Sequence, residues 1–290
     1  MRIAVTGASG FIGARAAAAL RAAGHEVIAI GRTSGDRLWD PSAGPAPLGG
    51  IDAAVHLAGE PVASGRWTAE KLRRIRESRV VGTRNLVAGI RGSGVRVLVC
   101  ASATGYYGDR GDEVLTEDSA PGDDFLAEVC REWEAEAARS GVRTASIRIG
   151  IVLGAEGGAL ARMLLPFRLG LGGRLGHGRQ WMSWIHADDL AALVRHAVEK
   201  DSVSGPLLGT SPVPATNAEF TRALGRALGR WTILPMPGWQ VRLLFGKVAS
   251  VLLGGQRCRP ARTLASGFAF RHPELGPAFA QILAAAPDSP

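Results

Sequence analysis

At 290 residues, 46% hydrophobic and 21% charged, the chain is long enough for two domains or one large α/β unit and too apolar to be disordered. Its net charge of +8 comes from 34 Lys and Arg against 26 Asp and Glu, and only three of those cations are Lys, which points to a chain-wide preference for Arg rather than to a nucleic-acid-binding tract. Three widely spaced Cys without a CxxC pair signal neither a disulfide framework nor a metal site. No run of about 18 apolar residues marks a membrane span. The strand-like start after Met1 is read as leaving no room for a signal peptide, so a cytoplasmic location is expected.

Residues 2–6 read as a buried strand, 11–23 as an Ala-rich helix closed by Gly24, and 26–30 as a second strand. A Gly/Pro/Ser-rich loop follows over 35–50, then a strand at 53–57, a long charged helix at 68–90, a strand at 95–101, a helix at 125–139 and a strand at 144–149. Continuous apolar strands alternating with helices predict an α/β doubly wound parallel sheet covered on both faces. The rhythm breaks near Gly154. Residues 1–153 are expected to form a dinucleotide-binding domain, with a strand and helix near 180–210 returning to it. Residues 154–240 are expected to form a smaller α/β substrate-side lid region, and 241–290 a small C-terminal domain. Asp188 and Asp189 suit a helix start beside His186, and Thr216-Asn-Ala-Glu219 fits a capping box. Trp239 to Leu253 reads as a buried amphipathic helix in preference to a membrane-contacting one. Lys71-Leu-Arg-Arg-Ile-Arg76 is the densest basic cluster, interrupted by acids; no nucleic-acid partner is expected.

Thr6-Gly7-Ala-Ser-Gly10-Phe-Ile-Gly13 joins the first strand to the first helix. Glycines at this spacing permit a tight turn, close approach to a pyrophosphate and close helix–sheet packing, with the helix N-terminus facing the phosphate charge. An NAD site usually carries an acidic residue after the second strand; this chain has Gly31 and Arg32, clearance and a bidentate cation for a 2′-phosphate, which selects NADP(H).

With that loop, His56-Leu-Ala-Gly59 and the Ser102–Gly108 segment, the chain resembles the extended short-chain dehydrogenase/reductases of the nucleotide-sugar epimerase branch. Gly59-Glu-Pro-Val, Arg66-Trp67, Ser78-Arg79, Gly105-Tyr-Tyr-Gly108, Leu164-Leu-Pro-Phe-Arg-Leu-Gly-Leu-Gly-Gly173, Trp184-Ile-His-Ala-Asp-Asp-Leu190, Thr216-Asn-Ala-Glu-Phe220 and the tail around Gly254-Gly-Gln-Arg and Arg262-Thr-Leu-Ala-Ser-Gly-Phe268 are similar to the YfcH-type epimerase-family proteins. The resemblance implies a Rossmann-type domain in which Gly7, Gly10, Phe11, Ile12 and Gly13 hold the pyrophosphate. It places Gly31 and Arg32 at the adenosine ribose, Leu57, Ala58 and Gly59 along the adenine and ribose path, and Arg79 near a cofactor-contacting position. Ala101 and the stretch from Ile149 to Val152 then border the cofactor, the latter at the nicotinamide. A small-molecule substrate and a monomer or homodimer are expected.

The chemistry of that superfamily needs a Tyr whose pKa is lowered by a Lys four residues on. The only tyrosines are Tyr106 and Tyr107, and four residues beyond them stand Arg110 and Gly111. With no YxxxK, the candidate catalytic groups are Ser102, Thr104, Tyr106 and Tyr107. A water relay, or a dinucleotide held for structure or sensing, are the other readings. Trp181, Trp184 and His177 are candidates for an aromatic platform, and the Gly-rich 170–178 segment for a lid.

Overall fold

The computed structural model describes residues 1–62 and 64–285. Its first half runs β1 (Arg2–Thr6), α1 (Phe11–Ala22), β2 (Glu26–Gly31), β3 (Arg37–Leu38), β4 (Ala53–His56), α2 (Ala69–Ile90), β5 (Val97–Ala103), β6 (Val114–Leu115), α3 (Phe125–Ala138) and β7 (Arg143–Ile149). Alternation along the strands sends side chains to opposite faces. Ile3, Val5, Val55, Val97 and Val99 enter one core, while Ala4, Ala54, Leu98 and Cys100 enter the other. Helix starts follow their caps: Thr68 accepts from the Lys71 amide at 3.2 Å and Asp124 from the Ala127 amide at 2.8 Å. Cys100, Cys130 and Cys258 are buried, and burial pushes their thiols up to about 12, 11 and 12, which keeps them protonated at neutral pH.

The second half contains β8 (Ile151–Leu153), α4 (Gly158–Arg168), β9 (Trp181–Met182), β10 (Trp184–His186), α5 (Ala187–Glu199), β11 (Gly205–Gly209), β12 (Ala215–Thr216), α6 (Asn217–Ala227), α7 (Gly238–Phe245), α8 (Ala249–Leu253), β13 (Arg257–Cys258), α9 (Ala261–Ala265) and α10 (Leu275–Ala285). β11 joins the large parallel sheet beside β7, and α5 packs on α1, giving seven strands in the order β11-β7-β5-β4-β1-β2-β3. Helices α1 and α5 cover one face; α2 and α3 cover the other. A separate core beyond the strand ends joins Leu153, Leu164, Phe167, Trp184, Phe220 and Phe279. The Thr216–Glu219 capping box opens α6. No described helix is long and apolar enough to cross a membrane.

The buried residues from 241 onward pack into cores shared with the rest of the chain: Phe268 enters the sheet core, Phe279 and Ile282 the lobe core, and Cys258 packs with Tyr107. One expectation changes here. The 239–253 stretch is not one buried helix. It breaks at Gly246 (φ 56°) into α7 and α8, and of α7 only Val241 is buried.

Candidate functional site

Strand order reverses between β1 and β4, and the loops leaving these two strands press together at that switch point, where doubly wound sheets bind ligands. Gly7 has φ 72°, and a Cβ on it would stand 2.9 Å from the Ala58 amide nitrogen. The Gly10 amide donates to the Gly7 carbonyl at 2.9 Å, and a Cβ on Gly13 would lie 2.0 Å from that same oxygen. The glycine spacing is thus imposed by the turn itself. No side chain caps α1, whose first intrahelical bond runs from Ala14 N–H to the Gly10 carbonyl, so the amides of Phe11, Ile12 and Gly13 form an electropositive helix terminus in the crevice.

Beneath this cradle the Thr6 hydroxyl shares a 2.7 Å hydrogen bond with His56 Nδ1 and accepts the Ala58 amide at 3.3 Å, which fixes the β4 loop. His56 is fully buried, with no partner for Nε2 among the described residues; burial, reinforced by the Arg79 charge, pushes its pKa down to about 4. Below its unfolded pKa near 6.5, the unfolded chain takes up a proton that the folded chain refuses. Stability is therefore expected to fall by about 3 kcal/mol as pH drops from 6.5 through 4, beyond any carboxylate contribution. Urea melts of wild type and His56→Gln across that window check this; parallel pH profiles would contradict it.

The rim differs in detail from the sequence reading. A Cβ on Gly31 would meet the Ser34 carbonyl at 2.0 Å, so the turn after β2 itself requires this glycine. Arg32 is exposed, and its charge helps to hold the Asp40 and Glu60 carboxyls down, although hydrogen bonds from Ser42 and Lys71 respectively dominate those shifts. Arg79, which the resemblance puts near a cofactor-contacting position, is held by backbone groups of the adjoining loop and helix. Its guanidinium donates to the carbonyls of Glu60 (3.0 Å) and Ile75 (3.1 Å), lies against Gly59 and over Trp133, and so braces the 57–60 loop from behind. Lys71 does the same through Glu60 at 2.6 Å. Phe11 lays its ring against Gly154, Gly157 and Gly158, tying the cradle to the lobe. Ile12, Leu57, Ala58 and Ile149 are half-buried, whereas Ala101 and Val152 lie inside the two sheet cores.

The candidate catalytic residues fall into a network at the ends of β5 and β7. Ser102 donates to Glu134 at 2.6 Å; Arg148 makes two 2.8 Å bonds to Glu134 and donates to the Tyr107 hydroxyl at 2.8 Å and the Glu117 carbonyl at 3.0 Å. Tyr107 donates onward to the Thr116 carbonyl at 2.9 Å. Burial opposes the Arg148 charge, but Glu134 outweighs it and holds the pKa above the ordinary range. Burial also pushes the fully enclosed Tyr107 phenol up, opposite to what a general base needs. Tyr107 is therefore a structural member of the network, and the Ser102 hydroxyl is committed to Glu134. Thr104 is buried. Tyr106 is half-buried, its ring face 3.4 Å from the Arg148 guanidinium carbon.

Other candidates separate. Trp184 is a core residue donating to the Val213 carbonyl, not a platform. Trp181 is half-buried, donates to Asp112 at 2.7 Å and carries Arg257 over its ring; His177 is exposed. His186, rather than the acids, caps α5 by accepting the Asp188 amide. Asp188 pairs with Arg15, and the buried Asp189 accepts the amides of Arg271 and His272, at 2.9 Å each. His186, Asp188 and His272 lie close enough to share an ion, but His186 already has hydrogen bonds at both ring nitrogens. In the basic cluster Lys71, Arg73, Arg74 and Arg76 all face carboxylates. Arg148 and Glu134 were missed by the sequence reading; a lone Arg inside an apolar strand (Ser146-Ile-Arg148-Ile) was the available signal.

Comparison with known proteins agrees with this geometry. Residues 3–206 match the NAD dependent epimerase/dehydratase family, and residues 236–282 a domain of unknown function, DUF1731. The chain is 42% identical to epimerase family protein Mb2239 of Mycobacterium bovis over 95% of both chains. It superposes on the crystal structure of human epimerase family protein SDR39U1 (isoform2) with NADPH at a TM-score of 0.94 and 41% identity, covering 99% of this chain and 100% of that one. A nucleoside-diphosphate sugar epimerase from Corynebacterium glutamicum matches at a TM-score of 0.81 and 37% identity over 98% of this chain and 58% of that chain. The chain belongs to the NAD dependent epimerase/dehydratase family, among the extended short-chain dehydrogenase/reductases that carry this C-terminal domain.

Proposed function

We propose that the chain binds NADP(H) in the crevice at the ends of β1, β2 and β4 and acts on a small carbonyl or sugar-nucleotide-like substrate without a Tyr–Lys couple. The observation that supports this is the Gly7–Gly13 cradle, whose uncapped α1 terminus leaves its first amides free to face a pyrophosphate. The similar human protein was crystallised with NADPH. The amides of Phe11, Ile12 and Gly13 would hold the phosphates, Arg32 the 2′-phosphate, and Leu57 to Gly59 the ribose; the nicotinamide supplies or accepts a hydride when bound. In this reading Tyr106, with its ring on Arg148, orients the substrate and passes the proton directly or through water, while Ser102, Glu134, Arg148 and Tyr107 keep its platform rigid.

Hydrogen bonds to a charged partner contribute about 1.5–3 kcal/mol, so Arg32→Ala is expected to weaken NADPH about tenfold to a hundredfold and leave NADH nearly unchanged. Equal losses for both, measured by fluorescence titration, would remove Arg32 from the 2′-phosphate. A second reading, a non-catalytic NADP(H)-responsive protein, is favoured by the mutually satisfied Ser102–Glu134–Arg148–Tyr107 network. Oxidation of bound NADPH on adding sugar nucleotides, quinones or small ketones, slowed by Tyr106→Phe, supports the enzyme. Tight binding with no turnover across those classes supports the second reading.

A further inference from the structure

The lobe beyond the strand ends concentrates both the positive charge and the exposed apolar side chains. Residues 157–187 and 202–261 hold ten Arg and one Lys against one carboxylate, Glu219, a net +10, whereas the rest of the chain is net −2. The Arg excess is therefore not spread evenly, as the composition suggests. Arg168, Arg174, Arg230, Arg242 and Lys247 are exposed, without an ion-pair partner among the described residues.

The apolar side chains lie among these cations. Leu169, Leu171, Trp231, Ile233, Trp239 and Leu243 are exposed, Trp231 at 83% and Leu243 at 69%. Backbone pairing makes them neighbours. Leu175 and Met236 form a parallel bridge, with the Met236 amide donating to the Arg174 carbonyl at 2.9 Å and the Gly176 amide to the Met236 carbonyl at 2.8 Å. That register sets Gly172 opposite Ile233, with Leu171 one residue before it, and α7 begins directly after Pro237. On α7, Val241 faces inward, so Trp239 and Leu243, two residues to either side, project from the opposite face at 100° per residue.

Exposed apolar patches of this kind mark a partner or a membrane. The charge decides between occupants: a second copy would set one net-positive segment and its exposed Arg against another, whereas an anionic lipid surface complements them. Exposed Trp and Leu on a short helix and its preceding loop, with exposed Arg in the same segments, suit shallow insertion at a headgroup boundary. We propose that this lobe docks peripherally on an anionic phospholipid surface through Leu171, Ile233, Trp239 and Leu243, with the flanking Arg on lipid phosphates.

Flotation of the full chain with vesicles of phosphatidylcholine, alone or mixed equally with phosphatidylglycerol, tests this. Binding is expected to be about tenfold or more stronger to the anionic vesicles and to disappear at high salt. Trp239→Ser combined with Leu243→Ser is expected to weaken it about tenfold at an unchanged melting temperature, while Leu38→Ser, on the edge strand β3, leaves it intact. Equal binding to both vesicle types, no binding to either, or full retention in the double variant would overturn the proposal. So would a dimer in sedimentation velocity that the double variant abolishes, or binding to polyglutamate without binding to vesicles, which would give the face to a second copy or an acidic protein.

Discussion

Arg148→Met is expected to lower the stability of the protein by about 3–5 kcal/mol, because it strands the Glu134 carboxylate and removes donors from the Tyr107 hydroxyl and the Glu117 carbonyl. The Arg148 side chain is 4% exposed and that of Glu134 16%, so water cannot substitute for the lost guanidinium at full strength. Removing both charges together, as Arg148→Met with Glu134→Leu, is expected to recover much of the loss, since an apolar pair avoids the cost of one unpaired buried charge. Urea unfolding measures both. A loss below about 1 kcal/mol in the single variant would mean that Arg148 is solvated and not the centre of the network. Replacing Tyr107 by Phe then removes one acceptor and one donor and is expected to cost less, about 1–3 kcal/mol.

Gly13→Ala carries the second large effect. The added Cβ would stand 2.0 Å from the Gly7 carbonyl oxygen, a backbone atom that cannot swing aside, so the turn and the α1 terminus must move apart. Each phosphate-facing amide displaced costs a charge-assisted hydrogen bond, about tenfold in affinity or more; two give about a hundredfold weaker NADPH binding. Gly49→Ala is the control, since its Cβ meets open space, its φ is not left-handed and it is exposed in a turn away from the cradle, where the exchange is expected to be near neutral. An NADPH affinity in Gly13→Ala within a few-fold of wild type would show that the cradle does not hold the dinucleotide.

Local periodicity and punctuation made the sheet legible: apolar runs at 2–6, 53–57, 95–101 and 144–149 each became parallel strands, and the glycine loop lies where its spacing demands. What side chains do at the crevice was less legible, because a one-letter code carries no direction. Arg79 read as standing near a cofactor contact, and its guanidinium proves to donate to the Glu60 carbonyl; Gly31 read as clearance, and its own turn needs it as well. Tyr107 read as acid or base, but it lies under β6 and the β13 segment with Leu115 and Cys258, contacts made by residues far along the chain. In the 241–285 segment the apolar residues were evident, but that they complete cores begun by α4, α6 and the large sheet is likewise a tertiary fact.

Amide hydrogen exchange with and without saturating NADPH tests the central claim most directly, because it reports where the dinucleotide sits as well as whether it binds. The account predicts slowed exchange in peptides covering residues 7–15 and 57–60, with weaker protection from NADH at the same concentration. Unchanged exchange in both peptides, or protection confined to the lobe beyond residue 157, would contradict it.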